Sequence, residues 1–268
     1  MDKKIGFIGA GNMGGAIVGA IARAGYADSV YVFEPNAEKA EAIARDTGVH
    51  VADRESVATE CDIIFLAVKP QIIGAVASEL SPYIAKRDKK PTLVSMLAGV
   101  RCERIFELFA TPVIRIMPNT PVSVGEGMIL VSPDKNVDED TKNAFNTIME
   151  KAGRLDYIDE GLIDAACALS GCGPAFVYTF IKALAAGAEK CGLSYEKALM
   201  YACQTTLGAA RLALSSDKTP DALRDAVCSK GGSTIEGVKV LDGSEFDRII
   251  ENTLSASYKR TVELGKQN

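Results

Sequence analysis

Two short stretches of this chain hold most of the chemistry it can offer. The first is Gly9-Ala10-Gly11-Asn12-Met13-Gly14, a GxGxxG spacing that follows the apolar run KIGFI and opens an Ala-, Ile- and Val-rich segment. Glycines so placed permit a tight strand-to-helix turn, and the backbone N–H groups at the new helix terminus then face an anion such as a pyrophosphate. Alone the pattern is weak; between a strand and a helix it predicts a dinucleotide site built from Gly9, Gly11, Asn12, Met13 and Gly14. Twenty residues past Gly14 stands Glu34, at the end of the next apolar run, where a carboxylate accepts hydrogen bonds from an adenosine ribose diol. Glu34 leans the choice toward NADH over NADPH. Against that lean, Arg54 offers a cation for a 2′-phosphate, and Glu34 also reads as a plain solvated loop acid. Ala67-Val68-Lys69-Pro70 and Asn119 fall at the carboxyl ends of later strands, the rim where open sheets bind ligands; ordinary strand-ending turns account for them equally.

The second stretch is Val227-Cys228-Ser229-Lys230-Gly231-Gly232-Ser233-Thr234, running into IEGVKVLD. Two adjacent glycines and two adjacent hydroxyls interrupt a region that otherwise reads as helix. Ser233 and Glu236 have capping-box spacing, so a helix is expected to begin there with several N–H groups unpaired. Glycines ahead of such a terminus let the backbone curl into a nest around a small carboxylate. Ser229, Gly231, Gly232, Ser233 and Thr234 are therefore the expected substrate contacts, with the Thr234 hydroxyl beside the bound carboxylate. A flexible helix–helix connector with a normal cap explains the same residues.

The elements that must position these stretches have two textures. KIGFIG (4–9), VYVFEP (30–35), DIIFLAV (62–68), TLVSML (92–97), VIRIMP (113–118) and MILVS (128–132) are short apolar runs bounded by Gly, Pro, Asn and Asp. Most are continuously apolar, as strands covered on both faces of a parallel sheet are. Alternating with helical segments, they predict an α/β fold, an N-terminal Rossmann-like doubly wound sheet over residues 1–161. From 162 the strand signals stop, and Ala-, Leu- and Met-rich segments at 163–191, 195–215, 219–228 and 244–264 predict an all-α C-terminal domain over 162–268. Thr219-Pro220-Asp221 supplies a cap, a first-turn proline and a first-turn acid. SGCGPAF at 170–176 predicts a kink in the long helix, with Gly171 and Gly173 serving either close packing or a place beside the cofactor.

The 268 residues suffice for two domains, and 47% hydrophobic with 24% charged residues is a globular composition. A net charge of −5 and a pI of about 5.2 carry no electrostatic footprint for a phosphate backbone, so no nucleic-acid partner is expected. The N-terminal apolar run is too short and too glycine-broken for a signal segment or a membrane span, so a cytoplasmic protein without a membrane partner is expected. Seven scattered cysteines without a CxxC pair read as buried thiols. With one histidine, His50, and no HExxH, no metal is expected.

With both anion sites in view, the chain resembles the pyrroline-5-carboxylate reductases essentially end to end. The likeness rests on IGFIGAGNMGGAI (5–17), FLAVKPQ (65–71), RIMPNTP (115–121), LSGCGPAF (169–176) and, most specifically, AVCSKGGSTIEGVKVLD (226–242). It implies reduction of the C=N bond of 1-pyrroline-5-carboxylate to L-proline by hydride from NADPH or NADH, the last step of proline biosynthesis. It also implies a Rossmann domain, a helical dimerisation domain that intertwines with its partner's in a homodimer, and often a larger assembly of dimers. Residues 229–234 would line the substrate pocket, partly across the dimer interface. Cys172 stands where the family usually has serine, and Glu34 where members favouring NADPH commonly have small polar residues.

A protonated cyclic imine is already a good electrophile, so the protein must chiefly hold ring and nicotinamide face to face. Backbone N–H groups of Gly232, Ser233 and Thr234 are expected on the carboxylate, and the Thr234 hydroxyl on the ring nitrogen as donor or relay, which makes Thr234 the expected catalytic residue. His50 reads as a surface or strand-edge residue. Two rival readings have less support. A β-hydroxyacid-type reductase needs a lysine on the long helix one turn past the glycines, and Lys182 comes about two turns after Pro174. A dinucleotide-binding redox sensor would use Cys172, which has no neighbouring base or second close cysteine to activate it.

Overall fold

In the computed structural model, which describes residues 3–265, the chain forms two compact units. One comprises the residues up to Cys172 together with Ser257 onward, and the other is Gly173–Ala256. The division between these compact units falls inside SGCGPAF.

The first unit contains β1 (Ile5–Ile8), α1 (Asn12–Ile21), β2 (Val30–Phe33), α2 (Ala37–Thr47), β3 (His50–Val51), α3 (Arg54–Glu60), β4 (Ile63–Leu66), α4 (Ile73–Ala85), β5 (Thr92–Ser95), α5 (Cys102–Phe109), β6 (Val113–Met117), β7 (Gly127–Pro133), α6 (Glu139–Ile148), β8 (Gly153–Tyr157) and α7 (Ile163–Ser170). Its single sheet has the order β3-β2-β1-β4-β5-β6-β7-β8. The chain order reverses between β1 and β4, which makes their carboxyl ends the switch point where open sheets bind ligands. All pairings are parallel except β6 with β7, which is antiparallel and so departs from the expected parallel run. The loop from β6 to β7 contains no crossover helix, so the chain simply runs back; α6 then carries it to β8, parallel to β7. Neither β3 nor β8 shows as a continuous apolar run. Both are edge strands, and an edge need not be buried on two faces.

Central strands read as unbroken apolar runs because both faces are covered. On one face Phe7 and Phe65 stack with ring centroids 4.5 Å apart, and Phe145 of α6 and Ile17 and Ile21 of α1 complete the layer. On the other, Ile8, Ile64 and Leu66 pack against Leu80 and Ile84 of α4 and Ile105 and Phe109 of α5. Each such side chain contributes about 1.5–3 kcal/mol on leaving water.

The second unit holds α8 (Gly173–Lys190), α9 (Tyr195–Ser215), α10 (Pro220–Val227), α11 (Ser233–Asp242) and the start of α12 (Phe246–Gly265). The expected kink is a full break between α7 and α8 at Gly171-Cys172. A Cβ on Gly171 would lie 2.7 Å from the Cys167 Sγ, whereas one on Gly173 would meet nothing within 4 Å. Glu160–Lys190 is long and apolar enough to cross a membrane on length and composition alone, with mean hydropathy 1.3, but the break divides it. Within this unit only Ala185, Ala198 and Ala202 are buried; Val177, Tyr178, Phe180, Leu184, Met200 and Leu212 are all exposed. The expectation of buried thiols therefore holds for Cys61 and Cys102 only. Cys191 and Cys203 are exposed and Cys167, Cys172 and Cys228 half-buried, since they lie on or beside helices whose apolar faces one chain leaves uncovered.

Candidate dinucleotide and substrate sites

β1 ends in a turn that only glycine fits well. Gly9 has φ +89°, and a Cβ there would sit 2.7 Å from the Ala67 carbonyl oxygen; a Cβ on Gly14 would sit 2.9 Å from that of Ala67. Both glycines answer to the end of β4, which presses on the loop from within. Gly11 differs: its φ is −57°, and a Cβ would meet nothing within 4 Å. It precedes α1 without any side-chain cap, so the first-turn N–H groups beyond it, with the helix's positive end, have no capping acceptor of their own. Open space beside a glycine at an uncapped terminus fits a pyrophosphate approaching Gly11, Asn12 and Met13.

Glu34 follows β2 and turns back onto this loop. Its Oε2 accepts the Ala10 N–H at 2.9 Å and its Oε1 the Asn36 N–H at 3.3 Å, so the carboxylate is held at the rim rather than left loose in solvent. It lines an open cavity of about 1050 Å³ together with Phe33, Glu41, Asp53, Arg54, Glu55, Glu79 and Tyr83. Arg54 is paired with Glu79 and lies over the Phe33 ring, 4.5 Å from its centroid. Asp53 caps α3 by accepting the Ser56 N–H at 2.7 Å, and that bond holds its carboxyl below the usual carboxylate range.

Ala67 continues β4, donating its N–H to the Ile8 carbonyl at 2.9 Å; Val68 abuts Gly9, and Lys69 and Pro70 lead through a short helical turn into α4. Asn119 lies just past β6 but is engaged at both ends of its amide. Its Nδ2 donates to the Ser170 carbonyl and its Oδ1 accepts the Met128 N–H, each at 2.9 Å. It thereby ties the start of β7 to the end of α7. Nearby is a residue that pattern reading passed over: Arg115 on β6, 2% exposed, donates to Glu160 at 3.3 Å and Asp164 at 3.2 Å, and its Nε has no partner. A cation inside VIRIM was the available signal, because a buried charge demands a counter-charge.

Residues 229–234 form a turn of their own within the helical unit. The Ser229 carbonyl accepts the Gly232 N–H at 3.0 Å, and Gly231 has φ +73° at the position a type II turn reserves for glycine. The expected Ser233–Glu236 capping box does not form. Gly232 in extended conformation already serves as the cap, α11 begins one residue early at Ser233, and Glu236 pairs instead with Lys239 at 2.8 Å. Of the three N–H groups expected for a carboxylate, that of Gly232 is therefore engaged in the turn, while those of Ser233 and Thr234 fall in the first helical turn and have no partner within the helix. Thr234 is exposed.

The remaining candidates have other surroundings. His50 lies on edge strand β3, exposed, with Nε2 3.2 Å from the Asp28 carbonyl and its ring stacked on Tyr31. Cys172 does have a cysteine beside it, donating its N–H to the Cys167 carbonyl at 3.1 Å, but burial pushes the Cys167 thiol up to about 11, away from reactivity. Among the described residues no group of three or more His, Cys, Asp or Glu side chains could hold a metal ion.

Residues 160–264 match the family model for pyrroline-5-carboxylate reductase dimerisation, and residues 4–99 that for NADP oxidoreductase, coenzyme F420-dependent. The chain is 36% identical over 272 residues to the pyrroline-5-carboxylate reductase of Escherichia coli (strain K12), covering 99% of this chain and 100% of that one. It is similar to the solved pyrroline-5-carboxylate reductase of Coxiella burnetii, with a TM-score of 0.90 and 34% identity over 98% of this chain and 99% of that one. The Plasmodium falciparum pyrroline carboxylate reductase, solved with NADP bound, gives a TM-score of 0.86 and 32% identity over 98% of each chain. With identity above 30% along essentially the whole length, the chain belongs to the pyrroline-5-carboxylate reductase family.

Proposed function

We propose that this protein reduces 1-pyrroline-5-carboxylate to L-proline with NAD(P)H, the last step of proline biosynthesis, as a soluble cytoplasmic homodimer. Dimers associating into a larger assembly are part of the same reading; nucleic acid and membrane are not partners in it. The observation that carries it is a pair of helix N-termini, α1 and α11, each preceded by glycine and neither capped by a side chain. One suits a pyrophosphate and the other a small carboxylate. When bound, the reduced nicotinamide supplies the hydride.

The chain's own residues bind and orient. Gly11, Asn12 and Met13 hold the pyrophosphate by backbone N–H groups, Glu34 accepts from the ribose diol, and Ala67 to Pro70 wall the nicotinamide half. Asn119, tied to Ser170 and Met128, shapes that wall. Ser233 and Thr234 N–H groups take the substrate carboxylate on the platform made by Ser229, Gly231 and Gly232. The Thr234 hydroxyl faces the ring nitrogen and donates or relays its proton. NADH is the preferred coenzyme: the adenosine cavity presents the carboxylates of Glu34, Glu41, Asp53 and Glu55 around the single cation Arg54, which is already paired, surroundings that suit a hydroxyl and repel a phosphate.

Replacing Thr234 with alanine should lower kcat roughly 10²-fold, the ordinary worth of a positioned proton donor, while the dissociation constant of the dinucleotide stays within about twofold of the parent, since no phosphate contact is lost. Stopped-flow absorbance at the nicotinamide band checks this. Turnover by the variant at the parent rate would remove Thr234 from the mechanism, and stoichiometric binding without any turnover of pyrroline-5-carboxylate by the parent would favour the sensor reading instead.

A further inference from the structure

Glu79 takes no part in the chemistry above, yet it holds the one cation of the adenosine cavity. Arg54 opens α3 and Glu79 stands on the following helix, α4; the guanidinium is bonded to the Glu79 carboxylate and lies over the Phe33 ring. Two other acids of the cavity have engagements of their own. Glu34 is bonded to the glycine loop and Asp53 caps α3. A 2′-phosphate entering this cavity brings about two further negative charges and finds its only guanidinium already neutralised. A 2′-hydroxyl brings no charge and donates to a carboxylate. An arginine freed of its partner would present the planar fork that suits a phosphate.

We propose that Glu79 is a specificity-determining residue: by holding Arg54 it keeps the cavity selective for an unphosphorylated ribose, and so for NAD(H) over NADP(H). Glu79 acts through Arg54 and is a positioning residue. The proposal rests on the reading of the Glu34 rim as the adenosine site. Because the two side chains are 42% and 49% exposed, their pairing adds little to fold stability, and a variant at Glu79 should fold normally.

The test is calorimetric titration of the parent, E79Q, E79D and the E79Q/R54Q double variant with NAD⁺ and with NADP⁺, without substrate. E79Q lowers the NADP⁺ dissociation constant roughly fivefold, the scale of one released charge-assisted contact near the surface, and leaves that of NAD⁺ within about twofold. E79D keeps the parent ratio, and adding R54Q erases the gain. In steady state the KM for NADPH falls in the same proportion with kcat unchanged. If E79Q keeps the parent ratio, or the gain survives R54Q, the role assigned to Glu79 is wrong; E79A, which should match E79Q, guards against an artefact of the glutamine. The parent's own ratio reads separately on the Glu34 preference: tighter NADP⁺ than NAD⁺ there overturns that preference, while the change from parent to E79Q still decides the case of Glu79.

Discussion

Phe7, Phe65 and Phe145 lie stacked and fully buried within the sheet unit, whereas Phe176, Phe180 and Phe246 of the helical unit line an open groove with Thr206, Ile249 and Ile250, about 650 Å³ in volume. The same residue type is interior in one region and surface in the other. In the sheet unit, helices on both faces cover every central strand within one chain. In the helical unit no large apolar side chain is buried, a pattern that marks surfaces meant for another body. The match of residues 160–264 to a dimerisation family says which body: a second copy of this chain. The glycines repeat the contrast. Gly9 and Gly14 are fixed by Ala67 inside their own unit, while Gly231 and Gly173 have nothing within 4 Å of a Cβ.

The largest effect should come from Phe65→Ala. Loss of a fully buried ring costs about 3–5 kcal/mol, read as a lower denaturant midpoint, with the oligomeric state unchanged at protein concentrations where the variant remains folded. Phe180→Asp should do the converse. Phe180 is 44% exposed in the single chain, so an isolated chain would tolerate the charge, but burying it against a partner should weaken the dimer roughly 10²-fold. Sedimentation velocity across a dilution series checks this. A variant that stays dimeric and fully active at nanomolar concentration would break the comparison, because the groove would then face solvent in the dimer as well.

Gly11→Val sharpens the contrast at the smaller scale of one loop. With φ −57° and open space around it, a side chain at 11 should leave the melting temperature nearly unchanged while weakening dinucleotide binding about tenfold or more, since it fills the approach to the pyrophosphate. Gly9→Ala should instead destabilise the fold, its Cβ meeting the Ala67 carbonyl at positive φ. Thermal melts beside dinucleotide titrations separate the two. Equal loss of stability in both variants would mean that Gly11 is as internal as Gly9.

What could be read from the sequence follows the range of the physics involved. The glycine loop was legible because a phosphate at a helix terminus demands glycine at set spacings, and the central strands because two-sided burial leaves an unbroken apolar run. Edge strands β3 and β8 were not, having no such burial. The Ser233 cap was misplaced because glycine is itself an acceptable cap, and Gly232 reaches the extended conformation first. Arg115 announced that it must be paired, but Glu160 and Asp164 lie far along the chain, and only the fold, which brings the turn at Glu160 and the first turn of α7 to Arg115, delivers them. Asn119 was legible as a rim residue, whereas its bond to Ser170 was not. The helical half read correctly as helix; that its apolar faces stay uncovered in one chain appears only when the helices are assembled.

The smallest effect distinguishes how the two units begin their helices. In the sheet unit, Asp138 caps α6 by accepting the Thr141 N–H at 2.6 Å. That bond, helped by the charges of Lys3 and Lys89, holds the Asp138 carboxyl below its ordinary range. A carboxyl whose folded pKa is depressed contributes stability that is fully present above its unfolded value near pH 4 and is lost as pH falls through the lower folded value. In the helical unit, the Thr219 hydroxyl caps α10 by accepting the Ala222 N–H at 3.2 Å and has no proton to gain in this range. Asp138→Ala and Thr219→Ala should each cost about 1 kcal/mol at pH 7. On acidification toward pH 2 the Asp138→Ala deficit should shrink toward zero as the parent's own carboxyl protonates, and the Thr219→Ala deficit should not move. Denaturant midpoints of the two variants against the parent, taken at pH 7 and at successive acid steps while the parent remains folded, follow the difference. Parallel pH profiles would show that Asp138 caps its helix as a neutral acceptor, without help from its charge.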